Sequence, residues 1–170
     1  MPYLAPPLRP ERPADGPAID AICDAAFGPG AQTRAAAWLR EGVMHRSDLS
    51  FVAERDGALV GTVRLTPIRW GGKAALMLGP LAVDPAAGRQ GIGRALMGEA
   101  MNRARWLTAE GSPPVVLLVG DHAYYRDFGF EPVPPSRVRL PRPADPARVL
   151  ACELVPGALD GFRGAVERAL

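Results

Sequence analysis

The chain has 170 residues, with 20 basic and 18 acidic side chains, a formal net charge of +2, and 48% hydrophobic against 22% charged residues. That length suits one domain with a single substantial core, so residues 1–170 are expected to fold together. The near-neutral balance excludes the charge bias of a nucleic-acid or membrane-surface protein, and neither is expected as a partner.

Cys23 and Cys152 have neither metal-ligand nor redox-pair spacing, so both are expected to be buried free thiols, with no bound metal. The opening MPYLAPPLRPERPAD lacks the charged and apolar regions of a signal peptide, and no apolar run reaches the ~18 residues of a membrane span. The expected location is a reducing cytoplasm. Lys73 is the sole lysine, so richness in arginine reflects composition and single arginines carry little weight.

The proline-rich start predicts a short edge strand around Tyr3 to Leu8. From Asp15, Ile19, Ile22, Cys23, Ala26 and Phe27 recur at helical spacing, and Gly28-Pro29-Gly30 stops them. A second helix fits Thr33 to Arg40. The period then becomes strand-like: SFVAE, the turn Asp56-Gly57, and LVGTVRLTPIRW predict a hairpin. After Gly71-Gly72, AALMLGPLAV is apolar enough to be covered on both faces, and Gly79-Pro80 inside it predicts a bulge.

A long helix follows over Gln90 to Ala109, with a buried stripe of Ile92, Leu96, Ala100, Met101, Ala104 and Leu107. PPVVLLVG then reads as a strand parallel to the one before the helix, because a helical crossover joins them. DHAYYRDFGF makes a short helical turn. SRVRL and ARVLACELV are two further candidate strands, and a weaker helix is predicted near the end.

The glycines of GRQGIGRALM sit at the mouth of the long helix, where free backbone N–H groups and the helix dipole favour an anion such as a phosphate. Close helix–sheet packing explains the same glycines equally well. Neither G-x-x-x-x-G-K-[ST] nor G-x-G-x-x-G is present, which excludes a P-loop and a dinucleotide fingerprint.

LGPLAVDPAAGRQGIGRALM, followed by VVLLVGDHAYYRDFGF, resembles the acetyl-CoA signature of the GNAT superfamily of N-acetyltransferases, and the order of elements is similar along nearly the whole chain. GDHAYYRDFGF is most similar to a group of bacterial acetyltransferases. The resemblance implies an α+β, three-layer fold: a mixed, mostly antiparallel sheet with a splayed central parallel pair and helices on both faces. It implies acetyl-CoA as cosubstrate, a small-molecule or peptide amine as acceptor, and a homodimer as one possible assembly.

The family's loop of Arg or Gln, two residues, Gly, one residue, and Gly or Ala falls on Gly88 to Gly93, with Gly88 departing from the pattern and Arg89 beside it. By resemblance the cofactor is held by Leu81, Ala82, Val83, Arg89, Gln90, Gly91, Ile92, Gly93 and Arg94. The backbone of Leu81 is expected at the thioester oxygen and that of Val83 on the pantetheine arm. Tyr125 matches the family's general acid, and a phenol with an ordinary pKa near ~10 suits protonation of a leaving thiolate. Tyr124 is its competitor, since two adjacent helical side chains diverge by about 100° and only one is expected to face the cofactor. Asp121, His122, Glu54 through a water, or a water chain alone are candidates for the base. Arg64, Arg69, Trp70 and the C-terminal strands are candidate lining of an acceptor pocket. The rival reading is a non-catalytic acyl-CoA sensor or interaction module on the same fold.

Overall fold

A computed structural model describes residues 5–28, 35–88 and 90–170 of the chain. The elements run β1 (Leu8–Pro10), α1 (Gly16–Phe27), α2 (Ala35–Arg40), β2 (Phe51–Arg55), β3 (Ala58–Trp70), β4 (Lys73–Val83), α3 (Ile92–Leu107), β5 (Val115–Val119), α4 (His122–Tyr125), β6 (Glu131–Pro132), β7 (Val138–Arg139), β8 (Val149–Glu153) and β9 (Gly164–Arg168). The sheet order is β1-β2-β3-β4-β5-β8-β6, antiparallel except at β4 and β5. Long β3 shares one edge between two partners: β2 covers Ala58 to Val63, and β9 covers Ile68 to Trp70.

Alternation along the strands divides the interior into two layers. Val63, Leu65, Leu76, Leu78, Val116 and Leu118 face α3, whose Ile92, Leu96, Met97, Ala100, Met101, Ala104 and Leu107 are all buried. The opposite face sends Ile68, Trp70, Ala75, Met77, Val115 and Leu117 toward Leu39 of α2 and Phe162. Burying each large side chain of the α3 stripe contributes roughly 1.5–3 kcal/mol relative to leaving it in water. The long-helix stripe and the parallel β4–β5 pair are therefore as the sequence predicts.

Several expectations shift. The edge strand lies at Leu8–Pro10, downstream of the predicted stretch, of which Tyr3 and Leu4 lie outside the described residues, as do Thr33 and Arg34 of the second predicted helix. In α1 only Ile19 and Ile22 are buried, while Ala26 and Phe27 are exposed and Cys23 is half-buried; Cys152 is buried as expected, and both thiols are free. The weak helix predicted near the end is instead a single 3₁₀ turn at Ala158–Gly161 followed by β9. The edge of β3 left bare beyond β2 pairs with Gly164–Arg168 and sets Val166 against the core, which a helix there would not do.

Candidate active site

Between Leu78 and Leu81 the chain gains one residue over its partner. Leu65 lies opposite Leu78 and Val63 opposite Leu81, so one residue of β3, Arg64, faces two of β4, and Gly79-Pro80 forms the predicted bulge. The bulge switches the parity of β4: Leu76 and Leu78 face the α3 layer before it, Leu81 and Val83 after it. Gly79 has φ 138, a conformation that side chains rarely adopt, and a Cβ there would stand 2.6 Å from Nη1 of Arg40.

The bulge also ends the parallel pairing. β4 and β5 are in register at Leu76 with Val116 and Met77 with Leu117; beyond these, β4 has no strand partner on that edge among the described residues. The divergence opens a cleft of about 760 Å³ lined by Leu78 to Leu81 and Val83 on one side and by Leu118 to Asp121 on the other. Gly93, Tyr124 and Tyr125 line it as well, together with Arg40 of α2 and Asp145 and Arg148 of the loop before β8.

At one end of the cleft is the start of α3. Asp84 caps a 3₁₀ turn at Pro85–Ala87, accepting from the Ala86 amide at 3.0 Å, and Gly91 in the left-handed region is the N-cap of α3. The first bond into the helix runs from Ala95 N–H to the Gly91 carbonyl, so the amides of Ile92, Gly93 and Arg94 precede any intrahelical acceptor and suit an anion. Gly88 has φ 72 and ψ −173, a region occupied essentially only by glycine. An Arg or Gln would be strained in this conformation.

The predicted cofactor residues divide by what they offer. Leu81, Val83 and Gly93 line the cleft. The side chains of Ala82 and Ile92 are buried in the interior, leaving their backbone as the group a ligand can reach. Gln90, Gly91 and Arg94 are exposed beside the cleft, where Gln90 Oε1 accepts from Arg55 at 2.6 Å and Arg94 reaches Asp127 at 3.2 Å. Arg89 lies outside the described residues.

Both tyrosines line the cleft, contrary to the expectation that only one would face it. The single turn of α4 crosses the cleft wall, so diverging side chains flank the space at two places. A Cβ on Gly93 would stand 3.0 Å from the Tyr124 hydroxyl, which puts Tyr124 at the α3 end. Tyr125 packs its ring on Gly120 at the end of β5 and edge-on against Tyr124 and Phe130, with ring centres 4.8 and 5.9 Å away. Burial raises both phenols, that of Tyr125 to about 12, so Tyr125 holds its proton throughout the neutral range.

Of the candidate bases, Asp121 alone lines the cleft; its Oδ1 accepts from the Ala123 amide at 3.1 Å. His122 pairs with Glu131 at 3.0 Å and Glu54 with Arg9 at 3.0 Å, both away from the cleft lining. The expected acceptor-pocket residues are also elsewhere. Arg64 forms two bonds to Glu11, at 2.9 and 2.6 Å, Arg69 is exposed on β3, and Trp70 is fully buried with its Nε1 donating to the Arg137 carbonyl at 3.1 Å. Arg64 stands opposite the bulge on β3 but is turned to Glu11, and Arg69 and Trp70 lie further along β3, beside β9. Arg40, Asp145 and Arg148 line the cleft where these were expected. A basic residue closing the alanine-rich AAAWLR helix is the only trace of Arg40 in the sequence.

Residues 46–132 match the family model for an acetyltransferase (GNAT) domain. N-acetyltransferase YhbS of Escherichia coli strain K12 is 34% identical over 164 residues, covering 94% of each chain. The chain belongs to the GNAT superfamily of N-acetyltransferases. Its fold class and its acyltransferase activity are those of the superfamily. A crystal structure of Escherichia coli YhbS in complex with CoA superposes with a TM-score of 0.79 at 31% identity, covering 99% of this chain and 92% of that one. A GNAT family acetyltransferase from Brucella melitensis in complex with acetyl-CoA gives 0.66 at 30% identity, covering 95% and 94%. The GNAT bulge, splayed strands and Gly-rich helix start thus occupy one continuous cleft in this chain. Among the described residues, no group of three His, Cys, Asp or Glu side chains is placed to hold a metal ion.

Proposed function

We propose that this GNAT enzyme transfers the acetyl group of acetyl-CoA directly to a primary amine in the cleft between β4 and β5. The observation that carries the reading is the loss of β4–β5 pairing after Met77, which leaves the β4 edge from Leu78 to Val83 without a strand partner beside a tyrosine-lined space. An extended pantetheine arm fits such an edge as an added strand would, meeting the backbone of Leu81, Ala82 and Val83. The binding of CoA by YhbS and of acetyl-CoA by the Brucella protein supports the same cofactor here. The diphosphate then meets the amides from Gln90 to Arg94, with Arg89 and Arg94 as neighbouring cations.

The Leu81 N–H faces the thioester oxygen and stabilises the negative charge that develops there as the amine attacks. Tyr125 donates its proton to the departing sulfur; its phenol is fully protonated at neutral pH and packed rigidly on Gly120. The attacking amine reaches the cleft neutral or loses its proton to water, with Asp121 as the candidate carboxylate on the wall. The half-buried and buried free thiols Cys23 and Cys152 suit a reducing cytoplasm.

The test is calorimetry with acetyl-CoA followed by thiol release across a panel of primary amines. Binding with acceptor-dependent thiol release supports the reading. No heat at millimolar acetyl-CoA overturns it, and tight CoA binding with no amine turned over points to an acyl-CoA sensor.

A further inference from the structure

Arg40 is a cation in the cleft that the acetyl-transfer steps above do not use. It closes α2 with its guanidinium against the bulge, lines the cleft, and is half-buried. Its backbone support is firm: Leu39 is fully buried, and Arg168 of β9 stacks on Trp38 at 3.7 Å and donates to the Trp38 carbonyl at 2.8 Å.

Arg40 makes no hydrogen bond or ion pair among the described residues, and the stretches outside them contain no Asp or Glu. The carboxylates around it are engaged with other partners. Glu41 pairs with Arg168 at 3.3 Å, and Glu11 is held by Arg64 at 2.6 Å and His45 at 3.1 Å. Asp121 and Asp145 line the cleft, but each caps a turn, accepting from Ala123 at 3.1 Å and Ala147 at 3.0 Å. Burial accordingly pushes the guanidinium down to about 10, with no carboxylate opposing the shift. A cation withdrawn from water and left unpaired is costly unless a ligand completes it.

We propose that Arg40 binds a carboxylate of the acceptor, so that the substrate is a small primary amine that also carries a carboxylate. The inference rests on the acetyl-transfer reading above and names its substrate class. The planar guanidinium fork matches a carboxylate with two parallel hydrogen bonds. Asp121 and Asp145 favour the ammonium end of such a molecule and offset the charges of Arg40 and Arg148 in the same lining, so no surplus of positive charge calls for a dianion and a carboxylate is favoured over a phosphate. The position of Arg40 beside Gly79 sets the anion next to the bulge and the amine toward the reacting centre.

The experiment compares matched acceptors: an amino acid panel, the corresponding carboxamides, the decarboxylated amines, and a phosphate-bearing amine. The wild-type enzyme is expected to favour the carboxylates at least tenfold in kcat/KM, through KM. In Arg40→Gln the ratio of carboxylate to carboxamide falls to about one, and Arg40→Lys restores part of it. Equal use of carboxylate and carboxamide by the wild type, or faster turnover of the phosphate-bearing amine, overturns the proposal. So does an equal fall in kcat for every acceptor in Arg40→Gln, which would put Arg40 at the thioester oxygen. Binding of unreactive N-acetyl amino acids and their amides to the wild-type protein is a second readout that needs no variant; indifference to the carboxylate overturns the proposal there too. Calorimetry with acetyl-CoA separates the two levels: its failure sinks acetyl transfer, whereas acetyl-CoA binding without carboxylate preference sinks this inference alone.

Discussion

Beneath α3 the sheet presents Val63, Leu65, Leu76, Leu78, Val116 and Leu118, all buried and apolar; on the other face of β3, Thr62, Arg64 and Thr66 replace them. Around that polar stripe and α1, Glu11 holds Arg64 and His45, and Arg9 holds Asp15 and Glu54. The two tyrosines pack on the apolar layer and Arg40 comes from the polar side, so the cleft is a seam between them. The difference teaches a division of labour. Close packing fixes the geometry of the proposed chemistry, and charges that can be paired or left open on the other side set what enters.

The largest expected effect comes from the apolar side. Tyr125→Phe leaves the ring on Gly120 but removes the proton, and steady-state thiol release should show kcat lowered about 10²–10⁴-fold with acetyl-CoA binding retained. A loss confined to KM would remove Tyr125 from the role of acid. Truncating Leu96, fully buried in the α3 stripe, to Ala should lower stability by about 2–5 kcal/mol in denaturant unfolding. On the polar side Glu11→Gln keeps the shape but removes the charge facing Arg64 and His45, with an expected cost of about 1–3 kcal/mol. A cost equal to that of Leu96→Ala would erase the contrast between the layers.

Acid should also separate the two layers, by smaller steps. Burial and the charge of Arg64 hold His45 below the ordinary imidazole value of 6.5, outweighing Glu11. The folded state therefore takes up that proton less readily than the unfolded chain, and stability present above pH 6.5 falls as pH drops below it. Arg9 holds Asp15 down at about 2 against an ordinary 3.8, so its contribution is present above 3.8 and is lost as pH falls through 3.8 toward 2. NMR titration of both groups, read beside unfolding at each pH, checks the signs; a His45 value above 6.5 would reverse the first step.

Much of the apolar side was legible in the amino-acid order. The stripe from Ile92 to Leu107, the hairpin around Asp56-Gly57 and the bulge at Gly79-Pro80 are local patterns, since helical period, turn chemistry and a missing ladder N–H act within a few residues. The β4–α3 turn was readable for the same reason, whereas Tyr125 was singled out by resemblance to the family's motif, and the structure places it in the cleft lining beside Tyr124. Arg40, Arg64 and Arg69 look alike in the sequence. Only the fold pairs Arg64 with Glu11, exposes Arg69 and sets Arg40 in the cleft with no ion pair among the described residues. The strand at Gly164–Arg168 depended likewise on a bare edge of β3 nearly a hundred residues earlier.

The sequence by itself determined which segments are helix or strand along most of the chain and where the Gly-rich turn before α3 lies, because short-range geometry governs both; the role of Tyr125 rests on family resemblance. The tertiary structure decided which charges are neutralised, that both tyrosines reach the cleft, and that Arg40 joins its lining. Those outcomes depend on side chains brought together from far along the chain, where distance and solvent exclusion set the energy of every charge.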